Sequence, residues 1–231
     1  MRNLFKSEYL NNIFQKKVWI LENIYMIRTM QLYYCGYKKV FISHAFFDGL
    51  IQNTRFHIFL SSVNKLNDKI LYHSHVHGVK HILNVTFFSY LIACNENMDE
   101  NDMNILLEIA LYHDIGRIDD REDSAHGYRG AEKMLMHLSD DKTDMLIPAI
   151  IHAHSLLDEE ADQIFNQYNL EKSQYNKYLK LLSIIKDADA LDRFRLRPDS
   201  LNPGYFRIDY SENLISLACV LSKVEWYEYK N

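Results

Sequence analysis

Glycine and proline are scarce, with seven and three residues in a chain of 231. With so few breaks, long segments repeat their apolar residues at helical rather than alternating spacing, and an all-α domain is expected. Cysteine is also sparse. Cys35, Cys94 and Cys219 are odd in number, far apart and without a Cys-x-x-Cys pair, so neither a disulfide framework nor a zinc ribbon is indicated and a reducing cytosol fits. Uninterrupted apolar runs are missing as well. The N-terminus carries Arg2 and Lys6 without an apolar core after them, and the stretch from Val18 is broken by Glu22 and Arg28, so neither export nor membrane spanning is expected. A formal charge of -5 and a pI near 6.1 exclude a nucleic-acid coat or an anionic-membrane binder, although a local Arg cluster can still hold a phosphate. A cytoplasmic protein with small-molecule partners is the expectation.

What is present is a 48% hydrophobic, 13% aromatic chain, enough for one sizeable core. Residues 1 to about 66 read as two or three helices rich in Phe, Tyr and Ile, a packing layer or a surface for a homo-oligomer. His44 and His57 within them read as structural histidines. Residues 67 to 231 carry the chemistry.

The most informative segment is Ala110-Leu111-Tyr112-His113-Asp114-Ile115-Gly116-Arg117. Leu106, Ile109 and Ala110 precede His113 by seven, four and three positions, so a helix would bring its imidazole to a buried face, and Asp114 follows the neighbouring stripe of Leu107, Ala110 and Leu111. A buried carboxylate beside a buried imidazole is costly unless a partner or a metal compensates it. Gly116 is placed to stop the helix, and the acidic stretch 95–102 reads as the loop and N-cap region that opens it.

Other histidines gather around this pair. His73, His75, His77 and His81 lie within residues 71–82, a density that favours a site over a core, and Ser74 is placed to cap a helix running into Val79, Ile82, Leu83 and Thr86. His126 opens a helix whose core positions are Ala131, Met134, Leu135 and Leu138, after a charged loop at 118–125. His154 follows Ile147, Ile150 and Ile151 by seven, four and three positions and so continues their buried face, with His152 as the alternative. Residues 157–174 read as a polar surface helix and loop. Beyond them, Asp189 and Asp192 share a face with Leu182 and Ile185, while Asp187 lies elsewhere on the wheel. Arg193, Arg195 and Arg197 suit either solvent and ion pairing or, beside a metal, a phosphate. Pro198 and Pro203-Gly204 end this region, and residues 215–226 suggest one closing helix.

In order along the chain, Tyr72-His73 with His77 four later, His113-Asp114-Ile115-Gly116, and Asp187-Ala188-Asp189 with Leu191-Asp192 resemble the HD-domain superfamily of metal-dependent phosphohydrolases over roughly residues 70–200. The resemblance implies an HD-domain helical bundle, here with additional N-terminal helices, and metal ligation by His77, His113, Asp114 and Asp189. Superfamily members with two metals add two histidines between the His-Asp pair and the last aspartate. His126 and His154 lie in that interval, which implies six ligands with Asp114 bridging two divalent ions. The chain lacks the Gly-Tyr-Pro motif of the HD-GYP phosphodiesterases.

Imidazole and carboxylate ligands suit Fe or Mn, with Mg as a further option. Such ions lower the pKa of a bridging water and clamp phosphate oxygens. The resemblance also marks His73 as the group that protonates the leaving oxygen. Arg117 and Lys186 or Arg193 are candidate contacts to the phosphate, and Asp114, Arg117 and Lys186 join His73 as candidate catalytic residues. The implied activity is hydrolysis of a phosphomonoester or phosphodiester of a nucleotide or other small molecule. Two alternatives use the same residues: a mixed-valent di-iron oxygenase, and a catalytically silent nucleotide-binding module.

Overall fold

The computed structural model describes residues 33–35, 38–40, 49, 52–137 and 145–223. Its helices are α1 (Phe56–Asn64), α2 (Val79–Asn95), α3 (Glu100–Tyr112), α4 (His126–His137), α5 (Leu146–Ala153), α6 (Ala161–Gln167), α7 (Tyr175–Leu191), α8 (Tyr210–Asn213) and α9 (Ile215–Lys223). The architecture is the expected all-α one, with one departure. Tyr33–Cys35 (β1) and Lys38–Val40 (β2) pair antiparallel, in the register Tyr33 with Val40 and Cys35 with Lys38. The helical expectation over residues 1–66 therefore fails at this hairpin, where Tyr, Cys and Val favour extended pairing. It holds for α1, and the remaining part, including His44, lies outside the described residues.

Helix α2 is the axis of the bundle. Every residue from His81 to Ala93 is buried, as expected of a helix enclosed on all sides. It packs between α3 and α7, while α5 reaches both of those helices and also carries α4. α1 closes one side through aromatic contacts. Phe59 lies 5.5 Å from Phe87 and 5.4 Å from Tyr90, ring centre to ring centre, within the range of favourable aromatic pairs. His57 stays exposed, its Nδ1 against the Thr54 carbonyl.

Local signals place the helix ends that matter for function. Asp99 caps α3 by accepting the Asp102 amide at 2.9 Å. Gly78, not Ser74, is the N-cap of α2. Ser74 Oγ instead accepts the amides of Val76 and His77, which ties down the turn ahead of the helix. This corrects the expected cap, because a turn that folds back on Ser74 satisfies the hydroxyl before the helix begins. The closing helix runs Ile215–Lys223, and the expected continuation to Trp226 lies outside the described residues. Cys219 is disulfide-bonded and Cys94 carries a free thiol, so the odd count and wide spacing of cysteines mislead on this point. Among the described residues no helix is long and apolar enough to cross a membrane.

Candidate metal centre

Asp114 is the hub of the site. It follows the C-cap of α3 and is buried, with only 3% of its surface exposed. Its two oxygens face different sets of imidazoles. Oδ2 lies 2.9 Å from His77 Nδ1, 3.3 Å from His81 Nε2 and 3.9 Å from His113 Nε2. Oδ1 lies 3.1 Å from His126 Nε2 and 3.8 Å from His154 Nε2. Asp189, on α7, completes the first set with Oδ1 3.4 Å from His81 Nε2. Its side chain keeps 36% exposure, so the cluster reaches solvent on that side.

His113 and His154 end helices, where the last carbonyls are left without helical partners, while His126 opens α4. His113 Nδ1 donates to the Ala110 carbonyl at 2.8 Å, His154 Nδ1 to the Ile151 carbonyl at 2.6 Å and His126 Nδ1 to the Asp123 carbonyl. His81, in the first turn of α2, instead donates from Nδ1 to Asp192 Oδ2 at 2.8 Å. A neutral imidazole with Nδ1–H so engaged keeps a lone pair on Nε2. All four lone pairs converge, with His81 and His113 Nε2 3.1 Å apart and His126 and His154 Nε2 2.9 Å apart. The carboxylates between them are acceptors too. Arg117 and His77 can donate to Asp114, but the four facing lone pairs have no donor between them, which is costly unless a cation sits there. The spacing fits one, since two donors about 2.1 Å from one cation and at right angles lie roughly 3 Å apart. Three overlapping groups, His77-His81-Asp114, His81-His113-Asp189 and His113-Asp114-His154, each bring their donor atoms within 4.8 Å of one another and could hold an ion.

Electrostatics follow from burial and neighbours. Burial pushes His113 down to about 3, so its imidazole stays neutral. Burial also acts to raise the Asp114 carboxyl, but His113, His126, His154 and His77 outweigh it and hold the group well below the usual carboxylate range. For Asp189 burial is likewise outweighed, by His81 and Arg195, and the group stays ionised.

A family model for the HD domain matches residues 78–193, the stretch from the N-cap of α2 to the turn after α7. The chain belongs to the HD-domain family. Comparison with curated proteins and with solved structures gives no match. The HD domain places this chain in a superfamily made up mostly of metal-dependent phosphohydrolases, and its buried His and Asp groups are of the kind that holds divalent ions.

In and around this HD domain the residues singled out from sequence are either brought together, exposed, or buried against other partners. His77, His113, Asp114, His126, His154 and Asp189 are brought together, and Arg117 joins them with Nε 3.3 Å from Asp114 Oδ1. His152 points away, its Nδ1 3.3 Å from Tyr168 Oη and its ring edge-on to Tyr128. His73 and Arg193 are exposed. Lys186 is buried but turned elsewhere, donating to the Leu156 carbonyl at 2.7 Å and to Asp158 Oδ1 at 2.6 Å. Asp187 is likewise engaged away from the cluster, accepting from Ser211 and from the amides of Arg207 and Ile208.

From sequence, His81 belongs to the histidine cluster, Asp192 to the closing aspartate block and Arg195 to the arginines suited to a phosphate, but none of them is expected as a ligand, and Asn84 is not singled out. His81 presents Nε2 to His113, Asp114 and Asp189, the position expected for His77. His77 belongs to the turn ahead of α2 and approaches Asp114 through Nδ1, with Arg195 Nη2 3.4 Å from that same atom. The missed signal is Gly78. A side chain there would come within 2.2 Å of the Ser74 carbonyl oxygen, so the close turn and the helix start are fixed between the two histidines.

Proposed function

We propose that the protein is a metal-dependent phosphohydrolase that cleaves a phosphomonoester or phosphodiester of a nucleotide or other small molecule. The observation that carries this reading is the division of Asp114, one oxygen toward His81 and His113 and the other toward His126 and His154. Two divalent ions, iron or manganese with magnesium as the further option, suit such a donor set. His81, His113, Asp114 and Asp189 would hold one, and Asp114, His126 and His154 the other. Bound there, the ions supply Lewis acidity toward phosphate oxygens and a water acidic enough to attack near neutral pH.

The chain's own residues do the rest. Arg117 presents a guanidinium beside Asp114 Oδ1, suited to a phosphoryl oxygen. His77 is set apart from the other clustered imidazoles by meeting Asp114 through Nδ1. A proton held between that nitrogen and Asp114 suits His77, rather than the exposed His73, to protonate a leaving oxygen. The partly exposed Asp189 leaves its own side of the cluster open to a small substrate.

The test is elemental analysis of protein purified without added metal, followed by assay of the metal-loaded protein on a panel of phosphomonoesters and phosphodiesters. Two equivalents of metal and hydrolysis that disappears in His113→Ala and Asp114→Ala are expected. Hydrolysis undiminished in those variants would overturn the reading.

A further inference from the structure

Beyond the residues that would touch a metal, one buried carboxylate is committed to a ligand rather than to the site itself. Asp192 is fully buried in the turn Asp192–Arg195 that follows α7. Its Oδ2 accepts His81 Nδ1–H at 2.8 Å and its Oδ1 accepts Asn84 Nδ2 at 2.6 Å. Asn84 is itself fully buried and stands three residues after His81 on α2. Arg195 brings Nη1 to 3.4 Å from Asp192 Oδ2 and donates from Nε to the Val76 carbonyl at 2.8 Å.

We infer that Asp192 is a positioning residue for His81, held in place by Asn84, and this inference rests on the metal-site reading above. An imidazole has two tautomers, and only the one with its proton on Nδ1 offers a lone pair at Nε2. His81 Nδ1 faces Asp192 Oδ2 where the Nδ1 atoms of His113, His126 and His154 face backbone carbonyls. A carboxylate does that work, and it also makes the ring a stronger donor by drawing on its N–H. Asn84 has a matching task. With both Asp192 oxygens accepting, the carboxylate cannot rotate away from His81 without also giving up the Asn84 hydrogen bond. Arg195 then links the same carboxylate to the turn bearing His77, so the His81 arm and the His77 turn share one anchor.

The test is cobalt(II) binding to the full chain, measured by competition with a chelator and by the visible absorption of the bound ion, together with thermal melting of the metal-free protein. Asp192→Asn is expected to weaken cobalt(II) binding about 10–100-fold and to change the absorption of the bound ion. The metal-free protein should melt close to wild type. A purely structural Asp192 would instead lower the metal-free melting temperature and leave the affinity and spectrum of the folded protein unchanged, which would overturn the inference. If the single variant does not fold, the exchange variant Asn84→Asp/Asp192→Asn keeps one amide and one carboxylate in the pair, so a hydrogen bond between the two positions is retained. It is expected to fold and still bind cobalt(II) more weakly than wild type, and wild-type affinity in it would equally overturn the inference. Absence of cobalt(II) binding by the wild-type chain would be a different result, removing the metal-site reading and this inference with it.

Discussion

His126 and His154 bring their Nε2 atoms to 2.9 Å of each other while both Nδ1 atoms face backbone carbonyls, so neither ring is arranged to donate to the other. Two facing lone pairs of this kind suit a shared cation, as the proposed function requires. Replacing His154 by Ala is therefore expected to reduce the metal content of the purified protein from two equivalents to one and to lower kcat/KM by at least about 100-fold. Elemental analysis checks the first part, and two equivalents retained in a His126→Ala/His154→Ala variant would place the second ion elsewhere.

Metal affinity is expected to rise with pH. Burial and Arg195 act to lower the pKa of His81, but Asp114, Asp192 and Asp189 outweigh them and raise it. A proton on His81 therefore persists to higher pH than on an ordinary imidazole and competes with the metal. Chelator competition across the range from ordinary histidine titration upward should show affinity increasing and then levelling once His81 is neutral. The stability of the metal-free protein has the opposite sign. The contribution of protonated His81 is complete below the pKa it has when unfolded and disappears as pH rises through its raised folded value. A metal affinity that does not change across this window would count against His81 as a ligand.

Gly116 lets the turn after Asp114 touch the start of α4. A Cβ at that position would lie 2.0 Å from the His126 carbonyl oxygen and 2.3 Å from the Gly130 amide nitrogen, so backbone would have to move. Gly116→Ala is expected to cost about 1–3 kcal/mol in urea unfolding and to draw His126 away from Asp114 Oδ1, with loss of the second equivalent of metal. Unchanged stability together with full metal content would show that the turn adjusts without moving the ligand.

Lys186 tests a sequence expectation directly. Its ammonium is buried against Asp158 and the Leu156 carbonyl, and Asp158 is shared with Arg207. Lys186→Met is expected to destabilise the fold by about 1–3 kcal/mol with little change in kcat/KM. A large fall in kcat/KM with stability intact would return Lys186 to the substrate. Burial acts to raise the Asp158 carboxyl, and Arg207 and Lys186 outweigh it and hold it below its ordinary value. Its stabilising effect is thus present above the unfolded carboxylate pKa and lost as pH falls through the depressed folded value. The stability gap between wild type and the variant should narrow on acidification.

These cases show what a linear reading can and cannot reach. His113 and Asp114 were legible because they directly follow a strongly periodic helix, and His154 could be preferred over His152 because its offsets from three isoleucines continue one face. The histidines at 73, 77 and 81 resisted the same treatment. They repeat every four residues, so each neighbouring pair fits the same pattern, and the ambiguity is broken only where the helix begins. That beginning depends on a close backbone contact between Gly78 and Ser74, which leaves no periodic trace. Asp192 could be seen to face inward, but its pairing with His81 spans 111 positions and follows from the packing of α2 against α7. The hairpin at β1 and β2 is too short to show alternation against its aromatic surroundings.

The carbonyl anchors of His113, His126 and His154 come from the residue three positions earlier in each case. A main-chain oxygen is common to every amino acid, so no side-chain substitution at Ala110, Asp123 or Ile151 can delete it. Three of the four converging imidazoles are therefore sheltered from mutation in the group that sets their tautomer. The fourth is not, because its partner is a side chain. Any inherited adjustment of how tightly this centre grips its ions, made without altering the ligands themselves, has its most direct route through Asp192 and Asn84.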